Sequence, residues 1–360
     1  MKIVAWTIAP IGKFAETLEI WGGLNRAHSG DTPLLDPLFL APLIQEFADD
    51  RDVVATYREA GQVRAIAVLR RVNFFAWQTL QPANAPIGLW NGDPALDLER
   101  VLGELAARLS ASCAMLGVTQ QDPASLPRPS RSRRLSTFDY IRTARIEFPP
   151  SFETYWQSRS KNFRQNVTRQ RNRIKREQIE ARLECLTDPA DMARAVADYA
   201  RLETAGWKAE EGTAVRLEDP QGRFYVKMLT AFAERGESFV YRYRFADRVV
   251  ASDLCILRDG TLYILKTAYD EAQQGLSPAH LMRVDAFAQA IDAGRLRKVE
   301  FYGPVKEWHT RFTDDIRTMY HANFYRLPVL KRLHEARRAR REKPAPDAAP
   351  GDAAAATGDA

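Results

Sequence analysis

Between Phe239 and Ala268 the chain reads as three strands in immediate succession, Phe239–Phe245, Val249–Leu257 and Leu262–Ala268, separated by turns that hold Asp247 and Asp259-Gly260. Phe239, Tyr241, Tyr243 and Phe245 alternate with the period of a strand that buries one face, and Asp-Gly is the turn chemistry of a tight antiparallel hairpin. An antiparallel meander therefore organises the second half, and the neighbouring elements have to be built against it. The next segment, Leu265 to His280, ends a strand, turns at Gly275 and restarts at Ser277-Pro278. Ser277 is a predicted helix N-cap, and Pro278 falls at the first helical position, where a missing N–H costs nothing. Such a helix start offers outward N–H groups and a partial positive charge, which suit a pyrophosphate; the plainer alternative is that Ser-Pro only begins a helix.

Around this centre the pattern is mixed α/β. The second half opens with a helical segment from Phe152 to about Gln178, in which Trp156, Phe163, Val167 and Ile174 share one arc. A strand at Ile179–Leu186 and helices at Pro189–Ala205 and Pro220–Glu234 lead into the meander. A helix Pro278–Ala293, a strand Val299–Tyr302 and a strand pair near Thr318–Tyr325 come after it. The first half predicts a strand in the apolar start, which Trp6 and Thr7 make a poor signal peptide. It then predicts strands Val53–Arg58, Val63–Val72, Phe74–Leu80, Leu116–Thr119 and Tyr140–Phe148, and a helix from about Ala95 to Cys113 capped by Asp93. At 360 residues the chain suits two domains, 1–150 and 151–335, meeting in the Pro/Arg/Ser-rich stretch after Pro127. Residues 336–360, rich in Arg and then in Pro, Ala, Gly and Asp, are expected to be disordered.

Charge and cysteines narrow the classes. Eight Lys and Arg lie between Arg159 and Arg176 without an acid, so the net charge of +6 is local: outside this run 44 cations face 46 acids. The run is either a solvated helix face or a contact for a polyanion such as RNA. Cys113, Cys185 and Cys255 are odd in number and widely spaced, which argues against disulfides and zinc, favours a reducing, cytoplasmic setting and makes each a small buried apolar residue. No apolar run is long enough for a membrane span, and P-loop, G-x-G-x-x-G, H-E-x-x-H and G-x-S-x-G motifs are absent. Chemistry that deprotonates a nucleophile needs a proton acceptor. Glu203, Asp253 and Asp270 are the candidates. Asp253 sits in the apolar strand Val249–Ile256, where a carboxylate needs partners; Asp270 is equally a turn residue; Glu203 and Lys208 flank Trp207 at a helix end. Lys306 and Trp308 follow the last core strand and are candidates for a substrate site, whereas His280 and His309 read as surface or helix-end residues.

The order strand, two helices, three antiparallel strands, loop, helix and strand resembles the GNAT acyltransferase superfamily. Arg164 with the basic run to Arg173, Glu203-Thr204-Ala205-Gly206-Trp207-Lys208, Ala268-Tyr269-Asp270, Ser277-Pro278 and Gly303-Pro304-Val305-Lys306 are similar to its CelD-like branch. That branch is associated with cellulose and exopolysaccharide biosynthesis and is related to the Fem peptidyltransferases. The resemblance implies two tandem GNAT-like domains, the first degenerate and shaping the acceptor cleft. It implies acetyl-CoA or another acyl-CoA as donor, no metal, and a sugar or glycan precursor as acceptor. The pantetheine would lie along Leu265, Lys266, Thr267 and Ala268, and the pyrophosphate over Gly275 and Ser277, Pro278, Ala279 and His280. Ala279 stands where the family usually has Gly, keeping the N–H but adding a Cβ. Arg164, Trp207, Lys208, Lys306 and Trp308 would contact substrate. A Fem-like donor, aminoacyl-tRNA, would turn the basic helix into an RNA contact.

Overall fold

In the computed structural model, which describes residues 4–204 and 215–341, the strands join into one continuous mixed sheet. They are β1 (Val4–Pro10), β2 (Val53–Glu59), β3 (Gln62–Asn73), β4 (Ala76–Thr79), β5 (Trp90–Gly92), β6 (Met115–Gln121), β7 (Leu135–Glu147), β8 (Ala181–Leu186), β9 (Ser238–Phe245), β10 (Arg248–Arg258), β11 (Thr261–Tyr269), β12 (Lys298–Phe301) and β13 (Ile316–Tyr325). The α-helices are α1 (Leu18–His28), α2 (Pro37–Phe47), α3 (Leu98–Leu109), α4 (Phe152–Ser158), α5 (Lys161–Arg176), α6 (Met192–Thr204), α7 (Pro220–Glu234), α8 (Pro278–Asp292), α9 (Glu307–Phe312) and α10 (Pro328–Arg341). Across the sheet the order is β1-β2-β3-β4-β6-β13-β7-β12-β11-β10-β9-β8, with β5 on β3. Pairing is antiparallel except for β4 with β6 and β11 with β12.

Both faces are covered. On one, α1, α2, α6 and α7 bury Trp21, Phe39, Tyr199, Phe224 and Phe232 against strands of both halves. On the other, α3 packs Leu102 and Leu105 over Tyr57, Val118 and Phe324, while α5, α8 and α9 pack Phe163, Val167, Leu281, Phe287 and Phe312 over the meander. The spacing Leu98, Val101, Leu102, Leu105 gives α3 its single buried stripe. The meander forms as read, and Asp259 (φ +48) and Gly260 (φ +73) close the β10–β11 hairpin with the two positive φ values that a primed turn requires.

Several expectations are corrected. Asp93 does not cap α3; its carboxylate accepts from Ala95 N–H and pairs with Arg64, while Asp97 caps through Arg100 N–H. The segment 152–178 is two helices, because the Ser160 hydroxyl takes Phe163 N–H and starts α5 afresh. One strand, β13, stands where a pair was expected, and it inserts between β6 and β7. Apart from these corrections, strand β7 spans the expected domain junction, pairing with β13 over one portion and with β12 over the next. The final helix continues to Arg341, into the segment expected to lack structure, because Lys331 reaches Ser132 O at 2.6 Å and Arg338 lies over the Phe138 ring. Cys113 and Cys255 are buried, whereas Cys185, on the edge strand β8, is exposed. Among the described residues no helix is long and apolar enough to cross a membrane.

Candidate active site

Strand β11 is paired on one side along its length and on the other only at its start. Thr261 to Ile264 match Lys298 to Phe301 of β12, and there the parallel ladder stops. Past Phe301 the chain turns away, so that Val305 N–H bonds to Arg142 O at 2.8 Å. On the β10 side, Lys266 faces Leu254 and Ile264 faces Cys255, which leaves Leu265 as a bulge. A bulge bends and twists its strand. Leu265, Lys266, Thr267, Ala268 and Tyr269 thus form an opened edge beside β12, whose backbone groups require partners from elsewhere.

This edge runs into the start of α8. Asp270 turns the chain by accepting Ala272 N–H and pairs with Arg248 at 2.9 Å. Ser277 does not cap with its side chain, contrary to expectation: at φ +50 it is left-handed and its hydroxyl lies 3.5 Å from Gln274 O. A left-handed L-residue is strained by roughly 1–2 kcal/mol, and the strain bends the chain sharply into Pro278. Thr267, Tyr269, Ser277, Ala279, His280, Arg283, Trp308 and Arg311 line a cavity of about 350 Å3 between the open edge and the first turn of α8.

Buried in the wall of that cavity is Arg283, which sequence reasoning passed over. Its guanidinium meets both Asp253 oxygens, at 2.8 and 2.9 Å, donates to Thr267 Oγ1 at 2.8 Å, and lies 4.3 Å from the Trp308 ring centroid. Asp253 thereby has the partners its apolar strand demanded, and both its oxygens hold Arg283. The available signal was a lone Arg in the run Leu281-Met282-Arg283-Val284, one helix away from a lone Asp in a strand. His309 is buried, not at the surface: it stacks on Trp308 and takes Lys306 N–H at 2.9 Å. Burial and the Arg283 charge pull it down to about 4. His280, wedged against Phe163 and Phe312, is likewise lowered to about 4 by burial and then by Arg283 and Arg311. Both rings are neutral at pH 7.

On the opposite face of β11, α6 brings up Glu203. One oxygen accepts the Tyr199 hydroxyl at 2.7 Å and stands 3.8 Å from Lys266 Nζ; the other accepts Val215 N–H at 2.8 Å. The Tyr199 hydroxyl also lies 3.4 Å from Thr267 O, on the opened edge. Burial, with the Glu203 charge, holds Tyr199 well above its ordinary pKa, so it remains a donor. Trp207 and Lys208 lie outside the described residues. Lys306 precedes α9 and is exposed, while Trp308 lines the cavity.

Beside Gly275 the outer face of α5 bounds an open groove of about 960 Å3, lined by Lys161, Arg164, Arg169, Arg173 and Arg176 with Trp156. Arg173 and Arg176 share Glu177, and Arg171 is held by Asp285. Lys161, Arg164 and Arg169 have no carboxylate partner among the described residues.

Residues 161–310 match the family model for the acetyltransferase (GNAT) domain, and this stretch contains the opened strand, the α8 start and the α5 groove. It is a GNAT acetyltransferase domain, and the chain is a transferase. Among solved structures, the C-terminal domain of what is described as a lysylphosphatidylglycerol synthetase from Agrobacterium fabrum superposes with a TM-score of 0.53 at 12% identity, over 90% of this chain and 96% of that one. FemX superposes with a TM-score of 0.53 at 10% identity, over 89% of this chain and 98% of its own. At these identities the likeness is one of fold. No curated protein sequence matches the chain. The CelD-like branch suggested by the sequence motifs is not among these findings.

Proposed function

We propose that the chain transfers an acyl group directly from an acyl-CoA, in the first instance acetyl-CoA, to an amine or hydroxyl of a sugar or exopolysaccharide precursor in the cytoplasm. The observation that carries the reading is the opened edge Leu265–Tyr269 running into the cavity at the start of α8. A pantetheine arm carries two amides that need backbone partners, and its pyrophosphate suits first-turn N–H groups flanked by Arg283 and Arg311. In the proposed reaction the acceptor nitrogen or oxygen attacks the thioester carbonyl, its proton passes to a carboxylate, and the C–S bond breaks to release CoA. Of the three candidate carboxylates, Asp253 and Asp270 are each held by a guanidinium, whereas Glu203 accepts the Tyr199 hydroxyl and stands 3.8 Å from the ammonium of Lys266 on the opened edge. That link to the donor strand makes Glu203 the preferred proton acceptor. Trp308 and Lys306, with Trp207 and Lys208, are proposed to face the acceptor, and residues 1–150 to be the degenerate unit that shapes its cleft. The sugar acceptor rests on the CelD-like motifs alone.

A second reading, an aminoacyl-tRNA donor of the Fem type, is favoured by one observation, the cations on α5 that lack a carboxylate among the described residues. Calorimetry of acetyl-CoA against the purified chain and its Ser277→Asp variant separates the two. Binding abolished by Ser277→Asp, which sets a carboxylate against the pyrophosphate, supports the acyl-CoA reading. No binding of acetyl-CoA or of longer acyl-CoAs sinks it, and salt-sensitive tRNA binding without acyl-CoA turnover then moves the second reading forward.

A further inference from the structure

Nine large apolar side chains are exposed among the described residues, and six of them lie in two neighbouring segments, the β3–β4 hairpin and the start of α10. Val72, Phe74 and Phe75 form the tip of the β3–β4 hairpin, with the two rings 61% and 60% exposed. Leu327, Val329 and Leu333 belong to the start of α10, each more than half exposed. Backbone bonds set the two groups side by side: Phe75 O accepts from Ala114 N–H and Met115 N–H, and Ala114 O accepts from Arg326 N–H. Nothing in the fold requires two adjacent phenylalanines at an exposed turn, where each leaves apolar area in water.

The charges on the outer face of α10 have one sign. The outer face of α10 carries Val329, Arg332, Leu333, Ala336, Arg337 and Arg340, all exposed. Arg332, Arg337 and Arg340 have no carboxylate partner among the described residues, and Arg71 sits over the Phe74 ring. The single acid of the helix, Glu335, is turned toward β7, where it accepts the Ser136 hydroxyl at 2.5 Å. Apolar residues interleaved with cations along a helix face, beside an aromatic tip, fit the boundary between lipid headgroups and acyl chains. A second copy of the same surface would set arginines against arginines. An RNA would satisfy the cations and leave Val72, Leu327, Val329 and Leu333 without a partner, because aliphatic side chains do not stack on bases as aromatic rings do.

We propose that this surface, the β3–β4 tip together with the outer face of α10, docks onto an anionic phospholipid bilayer. The docking is peripheral: the phenylalanines enter the acyl-chain boundary and the arginines meet phosphate headgroups. It is independent of the acyl-transfer reading, since none of these residues lines the cavity at α8.

Co-sedimentation of the full chain with vesicles of phosphatidylcholine, alone or mixed with phosphatidylglycerol, tests the proposal. Binding is expected only to the anionic vesicles. Phe74→Ser with Phe75→Ser is expected to reduce it roughly tenfold or more through lost apolar burial. Arg332→Glu, Arg337→Glu and Arg340→Glu together are expected to reduce it as strongly, and added salt to weaken what remains. All five side chains are exposed, so neither variant touches a core, and circular dichroism verifies each fold. The proposal is overturned if anionic vesicles do not bind, if neither variant changes the binding, or if the aromatic substitutions instead dissolve a concentration-dependent dimer.

Discussion

The Asp253 carboxylate and the Arg283 guanidinium meet at two points, 2.8 and 2.9 Å, with both side chains almost fully buried between β10 and α8. A planar fork against a carboxylate fixes the arginine's orientation, and Trp308 covers its face. Removing one partner strands the other charge in a dry environment. Asp253→Leu is therefore expected to lower unfolding free energy by about 3–5 kcal/mol, whereas Asp253→Leu with Arg283→Met recovers most of that loss. Urea denaturation of the two variants checks this; a single-variant loss below about 1 kcal/mol would show that the pair is not desolvated as its burial implies.

Ser277 holds the left-handed conformation that glycine adopts without steric cost. Relief of roughly 1–2 kcal/mol of strain outweighs the roughly 0.5–1 kcal/mol that glycine loses in chain entropy. Ser277→Gly is thus expected to be neutral or to raise thermal stability slightly, while Ser277→Val, branched at Cβ, lowers it. Differential scanning calorimetry reads both. Equal losses for Gly and Val would mean that the hydroxyl, not the backbone, holds the turn.

The meander, the α8 start and the buried stripe of α5 were legible because each depends on neighbours in sequence: alternation, a turn dipeptide, a helical arc. Helices α1 and α2 were not. Gly22 and Gly23 dilute the signal of the first, and the second, nearly all apolar with Pro42 inside, has no polar face to give it a period. The cap at Asp97 was missed because Asp93-Pro94 offers the same chemistry four residues early. Pairings that close over long separations left no trace either. Arg317 of β13 joins Asp122 at 2.9 Å and Glu300 at 2.7 Å, tying β6, β12 and β13 together, and nothing local to any of the three announces it. Glu203 and Asp253 could be named from sequence as carboxylates in need of partners; which partner each found depended on how α6 and α8 lie across the sheet.

Three histidines, His280, His309 and His321, are each pulled down to about 4 by burial. A folded pKa below the unfolded value of about 6.5 means that the unfolded chain binds more protons between these limits. Their contribution to stability is therefore full above about pH 6.5 and is lost as pH falls toward 4. The urea midpoint is expected to drop between pH 7 and pH 5, a range above the ordinary titration of carboxylates, with about two to three protons taken up per molecule unfolded. A midpoint independent of pH across that window would show that the rings are hydrated in solution.

Glu203→Gln retains the shape of the side chain and removes its charge. If Glu203 accepts the acceptor's proton, kcat falls by roughly 10²–10⁴ while acyl-CoA affinity is nearly unchanged. The amide also presents an N–H to either Tyr199 OH or Val215 N–H, both of which now donate to the carboxylate. A stability loss of about 1–3 kcal/mol is expected from that mismatch, so rates are compared per folded molecule. Full activity in the folded variant would remove Glu203 from the chemistry.

Lys161, Arg164 and Arg169 face the groove beside Gly275, next to the helix start proposed for the pyrophosphate, and no carboxylate among the described residues neutralises them. On the acyl-CoA reading, the adenosine 3′-phosphate lies beyond the pyrophosphate, and we propose that these cations receive it. Loss of that phosphate should then matter to the unmodified chain: acetyl-dephospho-CoA is expected to bind roughly tenfold more weakly than acetyl-CoA, the value of one charge-assisted contact. Arg164→Gln with Arg169→Gln should weaken acetyl-CoA by a similar factor and leave acetyl-dephospho-CoA almost unaffected, since the two changes remove the same contact. Calorimetry at two salt concentrations reads the four combinations, with the difference shrinking at high salt. If both ligands weaken equally in the variant, the cations act on the whole anion at long range. If neither weakens, the α5 face serves something other than the acyl donor, and the polyanion reading of this helix becomes the one to pursue.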